Sequence, residues 1–200
     1  QNIKEILNKF SFPKNVKIEH YENFEKLLDF ISSKIKNGCV VGWFQGKMEW
    51  GPRALGNRSI LADPTNSNIK DIINSKIKRR ESFRPFAPSV IEERANEFFD
   101  IKSDDNFMLK VSKVKADKVN LIPAVTHVDG TARVQTVSRD TNLKYYELLE
   151  HFEKLSNVPI LLNTSFNENE PIVNKPEEAL ECFLRTKMDM LVMENVVVER

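Results

Sequence analysis

Segments of helical periodicity and short apolar runs follow one another irregularly along this chain, and this mixture constrains its fold more than any other feature. Apolar residues at helical spacing predict helices over residues 23–36, 67–78, 92–99, 142–155 and 176–185. Short apolar or alternating runs predict strands at 39–44, 107–111, 132–137, 158–162, 190–193 and 196–198, the last two as a hairpin. Strands and helices do not alternate strictly, so we predict one domain of the α/β (mixed α+β) class with a mixed sheet.

Composition excludes several classes of function. Lys and Arg number 30 against 29 Asp and Glu, and this balance argues against a surface built to bind nucleic acid. No apolar run is long enough to cross a membrane, and no secretory signal is visible. Cys39 and Cys182 lie among apolar residues, which favours buried thiols and a cytoplasmic location. The scattered histidines show no spacing typical of metal ligands, so we expect no metal site.

A glycine-rich segment at residues 46–59 contains Arg53 and Arg58. Glycine lets the backbone approach a ligand closely, and guanidinium groups bind phosphate or carboxylate in a fork geometry. The segment therefore predicts an anion-binding loop. The alternative is that the two arginines form surface ion pairs with Glu49 and Asp63.

Residues 78–88 join a cationic cluster to an apolar turn stiffened by proline. Lys78, Arg80 and Arg84 supply the charge, and neighbouring phenylalanines would fix the segment to the core. We predict a second group of phosphate ligands here. Basic residues interleaved with aromatic ones also suit a groove for single-stranded nucleic acid, which remains the rival interpretation.

The segment 126–133 contains a tight-turn signal at Asp129-Gly130, followed by Arg133 at the start of a strand. Arg133 could point into a cleft. His127 has the chemistry of an acid or base near neutral pH, but a single histidine in a turn is more often structural. Asp129 fits a turn former or an arginine partner better than a catalytic base.

A buried strand near residue 160 ends in small polar side chains, including Asn163, Ser165 and Asn167. Ligands of α/β sheets bind at the carboxyl ends of strands, where these groups could direct hydrogen bonds. An ordinary Asx or Ser/Thr turn explains the same residues. No base is adjacent, and neither a Walker-type loop nor a dinucleotide fingerprint occurs, so any phosphate site is built from arginines and strand ends.

Together these segments resemble a known family. The sequences GPRALGNRSIL (51–61), FRPFAP (83–88), THVDGTARVQ (126–135) and NTSFN (163–167) look like the C-terminal part of the O-carbamoyltransferases of the nodulation-protein and antibiotic-tailoring type. The resemblance runs from about residue 23 to the end. It implies a twisted open mixed sheet flanked by helices, similar to threonylcarbamoyl-adenylate synthases. Residues 23–200 would be the carbamoyl-adenylate-forming domain, and residues 1–22 a linker or a remnant of a preceding domain.

The resemblance also implies a reaction. Domains of this family take carbamoyl phosphate and ATP, with Mg²⁺ arriving on the nucleotide, and form carbamoyl adenylate. A separate N-terminal domain, similar to the actin/Hsp70-like fold, passes the carbamoyl group to an acceptor alcohol. The alternative is a non-catalytic module that binds nucleotide or RNA.

Residues carried over from the family motifs complete the prediction. The candidate catalytic residues are Lys78, Arg84 and Arg133. The candidate cofactor-binding residues are Arg53, Arg58, Arg80, Asn163, Ser165 and Asn167. The chain departs from the family pattern at Lys47, where arginine is expected, and at 167–171, which is shorter and lacks a glycine before Glu170. The second departure bears on nucleotide affinity more than on reaction class.

Overall fold

The computed structural model describes residues 3–79 and 84–200. Its strands are β1 (Lys17–His20), β2 (Val41–Phe44), β3 (Arg58–Ala62), β4 (Ala87–Ile91), β5 (Ser112–Lys113), β6 (Thr131–Ala132), β7 (Gln135–Val137), β8 (Ile160–Ser165), β9 (Met190–Met193) and β10 (Val196–Glu199). Its α-helices are α1 (Ile3–Leu7), α2 (Phe24–Lys36), α3 (Ile69–Ile73), α4 (Ala95–Phe98), α5 (Leu143–Ser156) and α6 (Pro176–Arg185). A π-helix at Asn74–Lys78 continues α3, and a 3₁₀ turn at Glu92–Arg94 precedes α4.

The main sheet has eight strands in the order β1-β10-β9-β2-β3-β8-β4-β7. β2 pairs with β9 and β4 pairs with β7 in parallel, whereas the remaining neighbours are antiparallel. β5 and β6 form a separate two-stranded ribbon. The order leaves β1 and β7 at the edges, so the sheet is open. The predicted fold class, an open mixed sheet flanked by helices, is confirmed.

Helices cover both faces of the sheet because its strands are apolar on both sides. In β9, Met190 and Val192 belong to the core beneath α2 and α5, whereas Leu191 and Met193 belong to the core on the side of α3 and α6. This alternation is the two-residue period of a strand. None of the helices in the described ranges has the length and apolar character that crossing a bilayer requires.

Local signals explain the ends of the helices. The side chain of Asn23 accepts a hydrogen bond from the backbone N–H of Lys26 and caps α2. Gly38 follows α2 with a φ of 91°, a conformation that glycine adopts without steric cost. The predicted helices at 23–36, 142–155 and 176–185 and the terminal hairpin are confirmed.

The strand predicted at 107–111 is wrong. These residues form a loop in which Asp105 accepts hydrogen bonds from the backbone N–H groups of Phe107, Leu109 and Lys110. The same loop places Met108 at a φ of 57°, outside the range of a strand. Because these N–H groups donate to the carboxylate of Asp105, they do not pair with a neighbouring strand.

The single strand predicted at 132–137 is divided. β6 pairs with β5 in the ribbon, whereas β7 pairs with β4 in the main sheet. Arg133 lies between the two strands.

Residues 3–22 contain the helix α1 and the strand β1. β1 pairs with β10 along the edge of the main sheet. Ile6 and Leu7 of α1 are buried in the core on the α3 and α6 side. Whether residues 1–22 link this domain to a preceding one stays a prediction.

Candidate anion-binding site

A narrow pocket of about 90 Å³ opens where the strand β8 meets the loop before β3. Asn163 is one of its lining residues and lies on β8, which pairs it with Leu61 of β3 on one side and Ala87 of β4 on the other. The pocket is lined by Pro52, Arg53, Ala54, Pro85, Phe86, Ala87, Met108, Arg133, Asn163, Thr164 and Ser165. One cavity therefore contains four residues that the sequence predicts as site residues in three distant segments. They are Arg53, Arg133, Asn163 and Ser165.

Two arginines give this pocket its charge. Arg53 is exposed and Arg133 is half-buried. Among the described residues, neither side chain has a hydrogen bond or an ion pair, and the Nε of Arg133 is buried without a partner. Burial lowers the pKa of Arg133, and the nearby charge of Arg53 lowers it further. Like charges held together without an acid favour a bound anion, which would neutralise both.

Lys78 lies beside the pocket at the end of the π-helix, and its side chain is buried. Its Nζ donates to the backbone oxygens of Ser165 (2.6 Å) and Asn167 (2.8 Å). The side-chain oxygens of the same two residues lie 3.3 and 2.7 Å from Nζ. The hydroxyl of Ser165 in turn donates to Oδ1 of Asn167 at 2.8 Å. The structure thus brings Lys78, Ser165 and Asn167 into one cluster at the end of β8.

Arg58 is not part of the pocket lining and is buried instead. Its Nη1 donates to the carbonyl oxygens of Gln45 (2.7 Å) and Asn57 (2.9 Å). Its Nη2 donates to the carbonyl oxygen of Gly46 at 3.0 Å, and the guanidinium lies 3.6 Å from the ring centroid of Phe44. Burial lowers its pKa, against the opposing charges of nearby carboxylates. Through these contacts Arg58 clamps the glycine-rich loop, which means that its guanidinium fixes the position of the loop backbone.

The other selected cations differ in position. Arg84 is exposed and immediately precedes Pro85, a residue of the pocket lining. Arg80 lies outside the described residues. Arg84 itself is not among the residues that line the pocket.

His127 and Asp129 lie in the turn before Arg133. The carboxylate of Asp129 accepts the backbone N–H (3.0 Å) and the hydroxyl (2.6 Å) of Thr131, which is the turn-forming role. The Nδ1 of His127 lies 3.1 Å from the hydroxyl of Thr131. Burial lowers the pKa of His127, and the charges of Arg133 and Lys70 add to this effect while Asp129 opposes it. A histidine held this way resembles a structural group more than a catalytic base.

Glu49 organises the loop, a role that differs from the surface ion pair predicted from the sequence. One carboxylate oxygen, Oε1, accepts the backbone N–H groups of Leu55 (2.6 Å), Asn57 (2.7 Å) and Arg58 (3.3 Å). These bonds fold the segment that presents Arg53. A carboxylate next to a glycine-rich turn is the available signal, since such turns expose N–H groups that need an acceptor.

A buried network of polar side chains also holds this loop through hydrogen bonds. Two of its members, Gln135 and Ser89, are not predicted as site residues from the sequence. Gln135 donates to the carbonyl oxygen of Leu55 at 2.8 Å, and Asn163 donates to that of Ala54 at 3.1 Å. Ser89 joins the two amides, donating to Gln135 at 2.6 Å and accepting from Asn163 at 3.0 Å. The network ties the residues after Arg53 to the central strands of the sheet.

The donor set of the pocket does not suit a resident metal ion. Its lining offers guanidinium, amide and hydroxyl groups but no carboxylate, imidazole or thiol. Across residues 3–79 and 84–200, no group of three or more His, Cys, Asp or Glu side chains could hold a metal. Anions are the ligands that this chemistry favours.

The fold and the pocket define a class: a mixed α/β domain with an arginine-lined pocket at the end of a central strand. The chain belongs to the carbamoyltransferase C-terminus family, whose model matches residues 32–200. It is 54% identical to nodulation protein NolNO of Sinorhizobium fredii over 83% of this chain and 25% of that protein. It is 46% identical to the uncharacterized protein sll1178 of Synechocystis over 90% of this chain and 33% of that protein.

A solved structure supports the fold. Full-length HypF, in a phosphate- and nucleotide-bound form, matches with a TM-score of 0.60 and 18% identity, over 93% of this chain and 23% of HypF. Identity this low shows the fold alone. The chain spans only 25% to 33% of the length of NolNO and sll1178.

Proposed function

We propose that this chain forms carbamoyl adenylate from carbamoyl phosphate and ATP, as the C-terminal part of an O-carbamoyltransferase. The observation that carries the proposal is the pair Arg53 and Arg133, which line one pocket without an acidic partner among the described residues. Both substrates are phosphate anions. Nucleotidyl transfer depends on positioning and charge neutralisation rather than on a protein nucleophile, and this pocket offers cations and hydrogen-bond donors.

In the proposed reaction, a water molecule first forms a bond to the phosphorus of carbamoyl phosphate. The bond from that phosphorus to the carbamoyl oxygen breaks, carbamate leaves with the electron pair, and inorganic phosphate takes up the oxygen of water. An oxygen of carbamate then forms a bond to the α-phosphorus of ATP. The bond from that phosphorus to the oxygen bridging to the β-phosphate breaks, and pyrophosphate leaves with the electron pair. The enzyme must hold two anions in line and offset the charge that builds up on the phosphoryl oxygens.

We assign roles to the residues as follows. Arg53, Arg84 and Arg133 bind phosphate oxygens and offset their charge. Lys78 orders the end of β8, since its Nζ contacts oxygens of both Ser165 and Asn167.

The remaining assignments concern hydrogen bonding and support. Ser165, Asn163 and Asn167 supply hydrogen bonds to nucleotide or carbamoyl groups. Arg58 supports the site through the loop that it clamps. Arg80 is assigned to the nucleotide on its sequence position alone.

Mg²⁺ would enter with ATP rather than reside on the protein, because the pocket lining has no carboxylate to bind it. When bound, it would neutralise charge on the phosphates. We propose that a preceding actin/Hsp70-like domain transfers the carbamoyl group to an alcohol. The relatives support this, because the part that matches this chain is only 25% to 33% of their length.

The test is exchange of labelled pyrophosphate into ATP, with and without carbamoyl phosphate. The wild-type chain should catalyse exchange only when carbamoyl phosphate is present. Arg84→Ala and Arg133→Ala should abolish it while leaving the far-ultraviolet circular dichroism spectrum unchanged. Arg139→Ala is the matched control, because Arg139 is exposed and pairs with Glu150 outside the pocket. Full exchange in both the Arg84 and the Arg133 variant would contradict the proposal.

A further inference from the structure

A second cleft adjoins the anion pocket and differs from it in chemistry. It encloses about 260 Å³. It is lined by Glu49, Trp50, Leu55, Asn57, Asn106, Phe107, Gln135, Thr136, Val137, Thr141 and Asn142. Lysine, arginine and histidine do not occur among these residues, so the cleft does not suit a phosphate.

The two cavities share their walls. In the loop before β3, Pro52, Arg53 and Ala54 line the anion pocket, whereas the flanking residues Trp50 and Leu55 line the second cleft. In the loop that replaces the expected strand at 107–111, Met108 lines the first cavity and its neighbour Phe107 lines the second. The two cavities are therefore neighbours at Ala54-Leu55 and at Phe107-Met108.

The second cleft presents flat apolar surface. Trp50 is fully exposed, and Phe107 is 62% exposed. Large aromatic side chains left open beside a binding pocket are suited to stacking on a planar ring. The anion pocket, at about 90 Å³, has room for a phosphate group but not for a whole nucleotide. The rest of a nucleotide needs a neighbouring surface of this kind.

Two polar atoms of the cleft add hydrogen-bonding capacity. Glu49 uses Oε1 for backbone N–H groups, and its Oε2 has no partner among the described residues. Asn106 accepts a hydrogen bond from Thr136 through Oδ1. Its amide Nδ2 has no acceptor among the described residues and can donate to a ligand. One acceptor and one donor match the edge of a nucleobase, which carries both kinds of group.

We infer that the second cleft binds the base of the nucleotide whose phosphates occupy the anion pocket, with the ring stacked on Trp50 and Phe107. The inference rests on the proposed function, since it needs a nucleotide substrate. Glu49 would accept an N–H of the base, and Asn106 would donate to a ring nitrogen. These residues would make the site prefer a nucleotide to inorganic polyphosphate.

The experiment compares the affinities of ATP and inorganic tripolyphosphate by calorimetry, because the two ligands share the phosphates and differ in the nucleoside. Trp50→Ala and Phe107→Ala should each weaken ATP binding by about five- to 160-fold, the range that corresponds to loss of one base–aromatic stack. Both should leave tripolyphosphate affinity unchanged. Leu109→Ala is the control, because Leu109 is 77% exposed in the same loop but lines neither cavity.

Fluorescence supplies an independent readout. Trp43 is buried and Trp50 is fully exposed, so quenching by adenosine should report Trp50 and vanish in Trp50→Phe. Unchanged ATP affinity in both alanine variants, or equal losses for ATP and tripolyphosphate, would overturn the inference and leave the anion pocket intact. Failure of the wild-type chain to bind either ligand would overturn the proposed function as well.

Discussion

Arg53 and Arg133 line one pocket, and burial together with the charge of Arg53 lowers the pKa of Arg133. Neither has an acidic partner among the residues that the structure describes. An arrangement of this kind costs folding free energy and is expected where a bound anion offsets it.

Arg133→Met should therefore separate stability from binding. Removal of a poorly solvated charge beside another cation should leave the free energy of unfolding unchanged or raise it by up to about 1 kcal/mol. Affinity for tripolyphosphate should fall at the same time. Urea unfolding and calorimetry measure the two effects. A clear loss of stability with unchanged affinity would show that Arg133 is structural.

Arg58→Met should lower the stability of the fold and weaken anion binding only indirectly. The substitution removes the donors to the carbonyl oxygens of Gln45, Gly46 and Asn57. The carbonyl oxygen of Asn57 still accepts the N–H of Gln45, and Gly46 is exposed, so the buried carbonyl oxygen of Gln45 is the acceptor most affected. Its loss of a donor should lower the free energy of unfolding by about 1–3 kcal/mol. Anion binding should weaken only as the loop loosens. A variant as stable as the wild type would contradict the clamp that we assign to Arg58.

Glu49→Ala should loosen the loop that carries Arg53. Three backbone N–H groups would lose their shared carboxylate, at a cost of about 2 kcal/mol. Amide hydrogen exchange should accelerate at Leu55 and Asn57. Glu49→Gln keeps a neutral acceptor and should give an intermediate effect. Unaltered exchange in the alanine variant would refute this role.

Gly56→Ala should be far more damaging than Gly38→Ala, although both glycines have positive φ. A Cβ at Gly56 would lie 2.2 Å from a ring carbon of Tyr145, whereas a Cβ at Gly38 meets nothing within 4 Å. We expect losses of about 3 kcal/mol or more at Gly56 and about 1 kcal/mol at Gly38. Thermal unfolding of the two variants would decide, and similar losses would count against close packing at Gly56.

His127 should report the charge state of the pocket. Burial lowers its pKa, and the positive charge of Arg133 lowers it further. Since the folded-state pKa lies below the unfolded value of about 6.5, this group reduces stability as the pH falls through that value. Arg133→Met, or a bound anion, should raise the pKa of His127 in an NMR titration. An unchanged pKa in both cases would place Arg133 too far away to act on it.

Much of the fold follows from local pattern. The helix α2 and the hairpin of β9 and β10 have periodic apolar residues and clear turn signals, so the sequence predicts them correctly. The segment 107–111 misleads because Phe107, Leu109 and Val111 alternate with other residues as in a strand, yet all three are exposed. The hydrogen bonds of Asp105 decide its shape, and periodicity carries no information about them.

The site is predictable in part for a similar reason. Sequence motifs select Arg53, Arg133 and Ser165, which line the pocket, but they do not distinguish Arg53 from Arg58. Arg58 begins β3 and pairs in register with Phe44, so strand alternation directs it into the core. Glu49 accepts from backbone groups only six to nine residues along the chain, so its signal is local. Gln135 donates to a carbonyl oxygen 80 residues away, which only the tertiary structure brings close.

A crystal structure of this chain with ATP and carbamoyl phosphate tests the central claim most directly. We predict phosphate oxygens within about 3 Å of the guanidinium groups of both Arg53 and Arg133. Phosphates bound on another face of the molecule, with these two side chains still without an anion, would contradict it.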